Sequence, residues 1–168
     1  EVLQHIKPGS VDLLCTDPPY GVSYVTSMRK KGDPLRVPIA EDDSINIVRD
    51  TLPLIDRVLK PDRHVYMFTA TSRIGEVQDA LADFWTVKSV LVWDKGEAGT
   101  VGDLASYNWN WEPIMFAMKG RRPILGPRRR SIYRYDWGSA KRRTDVNRDH
   151  DQHPTVKPVG LMRWLIAG

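Results

Sequence analysis

Two kinds of apolar segment alternate along this chain, and their order restricts the folds that it can adopt. Four short runs of aliphatic and aromatic residues have the length of buried strands, and the segments that separate the first three have apolar residues at helical spacing. The strands are predicted at residues 10–16, 64–70, 87–93 and 112–119, and the helices at residues 44–61 and 73–84. This order predicts an α/β fold with a mostly parallel sheet, and the last two strands, which have no helix between them, predict an antiparallel edge.

Local signals refine this prediction at several points. Ser44 is a candidate cap for the first helix, and Pro53 lies inside its apolar pattern, where a proline is expected to kink a helix. Residues 21–40 have little apolar periodicity and are predicted to form a loop. The final segment, "GLMRWLIAG", has a helix-like pattern.

Length and composition restrict the class of protein further. The chain has 168 residues, 41% of them apolar, which is enough for one domain with a buried core. No apolar run reaches the roughly 20 residues that a membrane-spanning helix needs, so we expect no membrane partner. The single cysteine, Cys15, excludes a disulfide within the chain and is most simply a small buried strand residue. We therefore expect a reducing, cytoplasmic location.

Positive charge is concentrated in one part of the sequence. Eleven Lys and Arg residues and only two acidic residues lie between residues 119 and 148, although the net charge of the whole chain is +4. Tyr133, Tyr135 and Trp137 are interleaved with these charges, a mixture that suits phosphate contacts and stacking on nucleic acid. The alternative is a solvated basic loop. The candidate phosphate-binding residues are Arg121, Arg122, Arg128, Arg129, Arg130, Arg134, Lys141, Arg142 and Arg143.

The segment "CTDPPYG" follows directly on the first predicted strand. Ligands of parallel α/β sheets bind beyond the carboxyl ends of strands, so Asp17 and Tyr20 are expected to face a binding cleft. Pro18 and Pro19 have fixed φ angles and no backbone N–H, so they would hold the neighbouring acceptors rigidly without adding a competing donor. The alternative is a turn that the two prolines merely stiffen.

Four motifs in this chain resemble those of the DNA amino-methyltransferases, and their order resembles that of the beta group. "DPPY" resembles the catalytic motif, "VLKPDRHVYMF" a family turn and strand, "WNWEPIMFAMKG" the wall of the base pocket, and "HPTVKPVGLMRWLI" part of the methyl-donor site. The resemblance covers essentially the whole chain. It implies the Rossmann-like sheet of S-adenosylmethionine-dependent methyltransferases, in this chain incomplete, and double-stranded DNA as partner.

The resemblance also implies roles for particular residues. Asp17 and the backbone carbonyl of Pro18 would accept the hydrogens of an exocyclic amine, and Tyr20 would stack on a flipped base. Lys157 would pair with the carboxylate of the donor, S-adenosylmethionine, the alternative being an exposed lysine beside a turn. Thr155 is also a candidate helix cap. The implied catalytic residues are Asp17, Pro18, Pro19 and Tyr20, and the implied donor-binding residues are Thr16, Asp17, His153, Thr155, Lys157 and Pro158.

The target of the reaction is less narrowly defined by the sequence. Family members with aspartate in the catalytic motif mostly methylate adenine N6, which favours adenine over cytosine N4. RNA methylation also stays open, as does a non-catalytic module that only binds nucleic acid. "HDQH" at residues 150–153 has no nearby third ligand, so no metal site is expected.

The same resemblance predicts how the chain is divided. Residues 1–118 are expected to form the catalytic core, residues 119–150 a basic target-recognition insert, and residues 151–168 the start of the donor-binding segment. The glycine-rich donor loop of the family is expected beyond Gly168, because the glycines of residues 95–102 have the wrong spacing. A second copy of the chain and a cognate nuclease are the candidate protein partners.

Overall fold

The computed structural model describes residues 2–19, 44–96, 105, 107, 110–134 and 157–167. In these segments, five strands form one sheet, four α-helices surround it, and a 3-10 turn covers Thr71–Arg73. The strands are β1 (Leu14–Thr16), β2 (Arg63–Phe68), β3 (Thr86–Asp94), β4 (Trp111–Lys119) and β5 (Ile132–Arg134). The helices are α1 (Val2–His5), α2 (Asn46–Val58), α3 (Ile74–Ala82) and α4 (Val159–Ile166).

The strand order across the sheet is β1-β2-β4-β3-β5. Strand β1 is parallel to β2, β4 is antiparallel to both β2 and β3, and β5 is parallel to β3. Four of these strands therefore run in the same direction, which confirms the α/β class and the mostly parallel sheet. The antiparallel strand was predicted at an edge of the sheet, but β4 pairs with both β2 and β3 and therefore lies inside the sheet, and the edge strand β5 is parallel to β3.

The two faces of the sheet are covered by different helices. Alternate residues of β2 point to opposite faces: Val65 and Met67 belong to a core cluster with α2 and α3, whereas Tyr66 and Phe68 belong to a cluster with α4. The helices fit these faces because their apolar residues recur at helical spacing, as in α4, where Leu161 and Leu165 are both fully buried. The sheet is thus enclosed over its central strands.

Several local predictions need refinement. Strand β1 is shorter than residues 10–16, because Val11 pairs separately with Leu59 at an isolated bridge. Helix α2 continues through Pro53, and the hydroxyl of Ser44 accepts the N–H of Asn46 at 3.3 Å although Ile45 occupies the cap position itself. The predicted loop at residues 21–40 lies outside the described residues, as do residues 135–148 of the basic segment (residues 119–148).

The sequence did not predict helix α1 or strand β5, but it did predict helix α4. Helix α1 is a single turn, held by the guanidinium of Arg57, which donates to the carbonyls of Leu3, Gln4 and Ile6. Strand β5 lies within the basic segment, for which no strand was predicted. The helix-like pattern near the end of the sequence does form α4. No helix in the described segments is both long and apolar enough to cross a membrane.

Candidate functional site

The candidate site lies at the edge of the sheet where β1, β2 and β3 end. Because β4 runs in the opposite direction, it begins at this same edge, and Trp93 of β3 is paired there with Glu112 of β4. The segment that leads into α4, with Lys157 and Pro158, reaches the edge from the side of the sheet that α4 covers. Four separate parts of the sequence therefore meet at the position that the first strand and its prolines predicted.

Asp17 follows β1 directly and carries the first charge of the site. Its side chain is 31% exposed, and its Oδ2 atom lies 3.1 Å from Nζ of Lys157. The carboxylate also affects Cys15 in β1, since burial and the negative charge of Asp17 raise the pKa of that thiol to about 11. Cys15 therefore stays protonated at neutral pH, whereas Asp17 is partly exposed to solvent and does not lie in a sealed core.

Lys157 is the centre of the site. Its side chain is only 11% exposed, and its ammonium contacts Oδ2 of Asp17 at 3.1 Å and Oε2 of Glu112 at 2.9 Å. The same ammonium lies 4.9 Å from the centre of the Phe68 ring and 5.7 Å from that of Trp93, both fully buried. Two carboxylates and two ring faces together fix the position of this charge.

The pairing of Lys157 bears on its predicted role. The resemblance implies that Lys157 binds the carboxylate of the methyl donor, and this stays a prediction. Since Lys157 already contacts Asp17 and Glu112, a third carboxylate would have to share or displace one of these contacts.

Glu112 and Lys95 lie at the site although neither was predicted as a site residue. Glu112 at the start of β4 accepts hydrogen bonds from Lys157 through Oε2 and from Lys95 through Oε1. Burial alone would raise the pKa of Glu112, but the two ammonium groups outweigh it and hold that pKa below its ordinary value. Two signals in the sequence point to Glu112: it lies in the segment that resembles the wall of the base pocket, and it is a charged residue at the head of an otherwise apolar strand, "EPIMFAM".

Two hydroxyl groups beside this edge have unmet hydrogen-bonding capacity. The Oγ1 atoms of Thr69 and Thr71, just past the end of β2, are buried and have no hydrogen-bond partner among the described residues. Buried polar groups normally have partners, so such hydroxyls are suited to contact a polar ligand. A shallow cavity of about 310 Å³ lies nearby, lined by Val92, Asp94, Asn110, Trp111 and Ile132.

The structure brings part of the predicted site together. Thr16, Asp17, Pro18 and Pro19 lie at the end of β1, beside Lys157. Pro158 caps the start of α4, and its carbonyl accepts the N–H of Met162 at 3.1 Å. Tyr20, His153 and Thr155 lie outside the described residues.

The described basic residues follow a path from the far edge of the sheet to the site. The segment leaves β4 at the far edge, where the backbone N–H of Arg121 donates to Asp62 at 2.8 Å and the carbonyl of Arg122 contacts the ring of His64. It returns to the site edge at Arg134, whose Nε lies 3.8 Å from Oδ2 of Asp94. Strand β5 thus delivers the end of this segment to the candidate site.

The arginines of this segment differ in what they contact. Arg128 and Arg130 are exposed. Arg129 is half-buried, and its guanidinium donates to the carbonyls of Trp164 and Ala167 at the end of α4. Arg129 therefore has a structural contact of its own, and its DNA contact stays a prediction. Lys141, Arg142 and Arg143 lie outside the described residues.

One curated protein is similar to this chain in sequence. The DNA adenine methyltransferase YhdJ of Escherichia coli (strain K12) is 24% identical over 190 residues, an alignment that covers 98% of this chain and 62% of that protein. The chain therefore spans less than two thirds of the length of this curated relative.

Two solved structures share the fold. The M1.HpyAVI–SAM complex has a TM-score of 0.63 at 17% sequence identity, and the matched region covers 99% of this chain and 68% of the M1.HpyAVI chain. The cytosine-N4-specific PvuII DNA methyltransferase has a TM-score of 0.67 at 12% sequence identity, and the matched region covers 99% of this chain and 66% of the PvuII methyltransferase chain. The sequence model of the N6/N4 methyltransferase family, described as a DNA methylase, matches residues 11–167. Because this match extends over almost the entire chain, the protein belongs to the N6/N4 DNA methylase family.

Proposed function

We propose that this chain is the catalytic part of a DNA methyltransferase that transfers a methyl group from S-adenosylmethionine to N6 of adenine. The observation that carries the proposal is the position of Asp17, at the carboxyl end of β1 and beside a fixed ammonium, in a chain of this family. The curated relative is named as an adenine methyltransferase, which supports adenine as the target. The aspartate of the catalytic motif supports the same choice.

The chemistry that Asp17 would perform is electrostatic. The lone pair of an exocyclic amine is delocalised into the base, so the amine is a weak nucleophile. Asp17 and the carbonyl of Pro18 would accept its two hydrogens and favour the pyramidal nitrogen, whose lone pair is able to attack. Positive charge develops on that nitrogen as it attacks, so the stabilisation by Asp17 increases in the transition state, which is what accelerates a reaction.

S-adenosylmethionine supplies an electrophilic methyl group, whose bond to sulfur breaks as the bond to nitrogen forms. The chain offers polar groups that fit such a ligand beside Asp17, namely the buried hydroxyls of Thr69 and Thr71. Thr16, His153, Thr155, Lys157 and Pro158 complete the set proposed to hold it. The methylated amine then loses a proton to solvent.

DNA is proposed to reach this site along the basic segment. Arg128 and Arg130 are exposed, and Arg134 lies next to the site edge. Contacts of this kind go mainly to phosphates, which position the duplex but do not specify its sequence. Tyr20 is proposed to stack on the flipped base, a contact worth about 1–3 kcal/mol.

The test is methyl transfer by the full-length protein to duplex DNA, with the product nucleosides identified by mass spectrometry. We expect N6-methyladenine. We expect Asp17→Asn to slow transfer by about 10²–10³-fold, the usual cost of removing a group that stabilises developing charge. Asp83→Asn is the matched control, because Asp83 is an exposed carboxylate at the end of α3, at the opposite edge of the sheet.

Each contrary outcome has a definite meaning. N4-methylcytosine as the product would contradict the choice of adenine, and methylation of RNA alone would contradict the choice of DNA. Full activity of Asp17→Asn would remove Asp17 from the chemistry. Nucleic-acid binding without saturable binding of S-adenosylmethionine would identify a non-catalytic module.

A further inference from the structure

Four charged side chains of alternating sign form a chain across the site edge. The order is Asp17, Lys157, Glu112 and Lys95, and each member contacts the next: 3.1 Å from Asp17 to Lys157, 2.9 Å from Lys157 to Glu112, and 2.5 Å from Glu112 to Lys95. All four side chains are less than one-third exposed. They come from four different parts of the fold, so the tertiary structure alone brings them together.

The proposed reaction has a difficulty that this arrangement resolves. Methyl transfer places positive charge on the amine, and Asp17 is useful only if the field at that amine is negative. Lys157, at 3.1 Å from Asp17, cancels much of that field if it acts alone. A second carboxylate in contact with the same ammonium offsets it, and Oε2 of Glu112 lies 2.9 Å from that ammonium.

The buried core also restrains the position of Lys157. Its ammonium contacts the buried rings of Phe68 and Trp93, so it is held in place by the core. Without the charge of Glu112, the ammonium would keep its ion pair with Asp17 but lose the one with Glu112. The carboxylate of Asp17 would then be drawn more strongly toward the ammonium and away from a base.

We propose that Glu112 is a positioning residue of the methyltransferase site, which offsets the charge of Lys157 so that Asp17 presents a negative field to the target amine. This inference rests on the proposed function. Glu112 would contact neither the base nor the methyl donor, and it would act through Lys157.

The size of the effect follows from Coulomb's law. Removing the charge of Glu112 is equivalent to adding one positive charge at about 8 Å from the amine, which at an effective dielectric constant of about 20 slows the reaction by about thirtyfold. The affinity for DNA is not expected to change, because neither the exposed arginines nor the stacking contact is altered. The effect should therefore appear in kcat and not in KM.

The test uses the full-length protein with Glu112→Gln, which keeps the shape of the side chain, removes its charge and leaves one acceptor oxygen instead of two. We expect kcat to fall by about thirtyfold, with the KM for DNA and for S-adenosylmethionine within about threefold of the wild type. The decisive variant is the double substitution Glu112→Gln with Lys157→Met, compared by kcat at saturating S-adenosylmethionine because Lys157 is also proposed to hold the donor. This double variant removes both charges. We therefore expect it to recover at least about a third of the decrease in log kcat that Glu112→Gln causes.

Stability is measured alongside activity to separate the two effects. If Glu112→Gln fails to fold, Glu112→Asp provides the comparison, because it keeps the charge and is expected to retain kcat within about fivefold. A purely structural role for Glu112 predicts that the double variant is slower than the single one, since it disrupts the cluster further. Asp83→Asn serves again as the exposed control.

The outcomes distinguish this inference from the proposed function. If the wild type transfers methyl groups and Asp17→Asn does not, the proposed function stands. In that case, an unchanged kcat for Glu112→Gln, or a double variant no faster than the single one, overturns the inference alone. If the wild type transfers no methyl group, both the function and the inference fail.

Discussion

Three consecutive arginines in the basic segment provide a sharp separation of structural from DNA-binding roles. Arg129 donates from Nη1 to the carbonyl of Trp164 at 2.7 Å and from Nη2 to that of Ala167 at 2.5 Å. These carbonyls lie at the end of α4, where no following helical turn supplies N–H donors for them. Arg129→Ala removes this forked contact, whereas Arg128→Ala removes an exposed side chain next to it.

The cost of Arg129→Ala can be worked out from these contacts. A hydrogen bond that involves a charged group contributes about 1.5–3 kcal/mol, but Arg129 is only half-buried, so water replaces part of each bond. We expect the free energy of unfolding to fall by about 2 kcal/mol. In a protein of this size, that corresponds to a fall in melting temperature of about 4–8 °C.

The assay is thermal unfolding of both variants together with DNA binding at several salt concentrations. Arg128→Ala should stay within about 0.5 kcal/mol of the wild type in stability. It should reduce the slope of log affinity against log salt by about 0.9 for each phosphate that the variant no longer neutralises. Equal melting temperatures for the two variants would refute the capping role of Arg129. An unchanged salt slope for Arg128→Ala, and for the same change at Arg130, would remove these two side chains from the DNA interface.

Two further predictions concern stability. Gly120 has φ of +73°, and a Cβ there would overlap the carboxylate of Asp62 that accepts the N–H of Arg121. Gly126 also has a positive φ but has open space around it, so Gly120→Ala should lower the free energy of unfolding by about 2 kcal/mol more than Gly126→Ala does. Equal losses of stability in chemical denaturation would contradict the overlap. The pKa of Glu112 lies below its ordinary 4.5, so the stability that this carboxylate contributes is complete above that pH and lost as pH falls through the lowered value. Acid titration should therefore destabilise the wild type more than Glu112→Gln below about pH 5, and parallel curves would contradict this.

The elements that could be predicted are those whose signal is local. The two long helices have apolar residues every three or four positions, and the runs that became β2, β3 and β4 are almost entirely apolar. The position of the site could also be predicted, because a strand followed by Asp17 and two prolines ends at the ligand-binding edge of such a sheet. The strand β5 could not be predicted, since Ile132–Arg134 is short, lies among charges and is stabilised only by pairing with β3.

The partners of the site charges depended on contacts between distant residues. Lys157 is 140 positions from Asp17 and 45 from Glu112, and no periodicity connects residues so far apart. The place of β4 between β2 and β3 is what brings Glu112 to the edge at which Asp17 lies. In the same way, nothing in the run of three arginines indicates that the middle one contacts the end of α4.

The sequence by itself determined the fold class and the family resemblance, because both depend on short motifs and on their order. The tertiary structure alone decided which charges face one another: Lys157 between Asp17 and Glu112, and Arg129 against the last turn of α4. The physical reason is that Coulomb and hydrogen-bond energies depend on separations in space, and these are set only when strands from distant parts of the chain pair in one sheet.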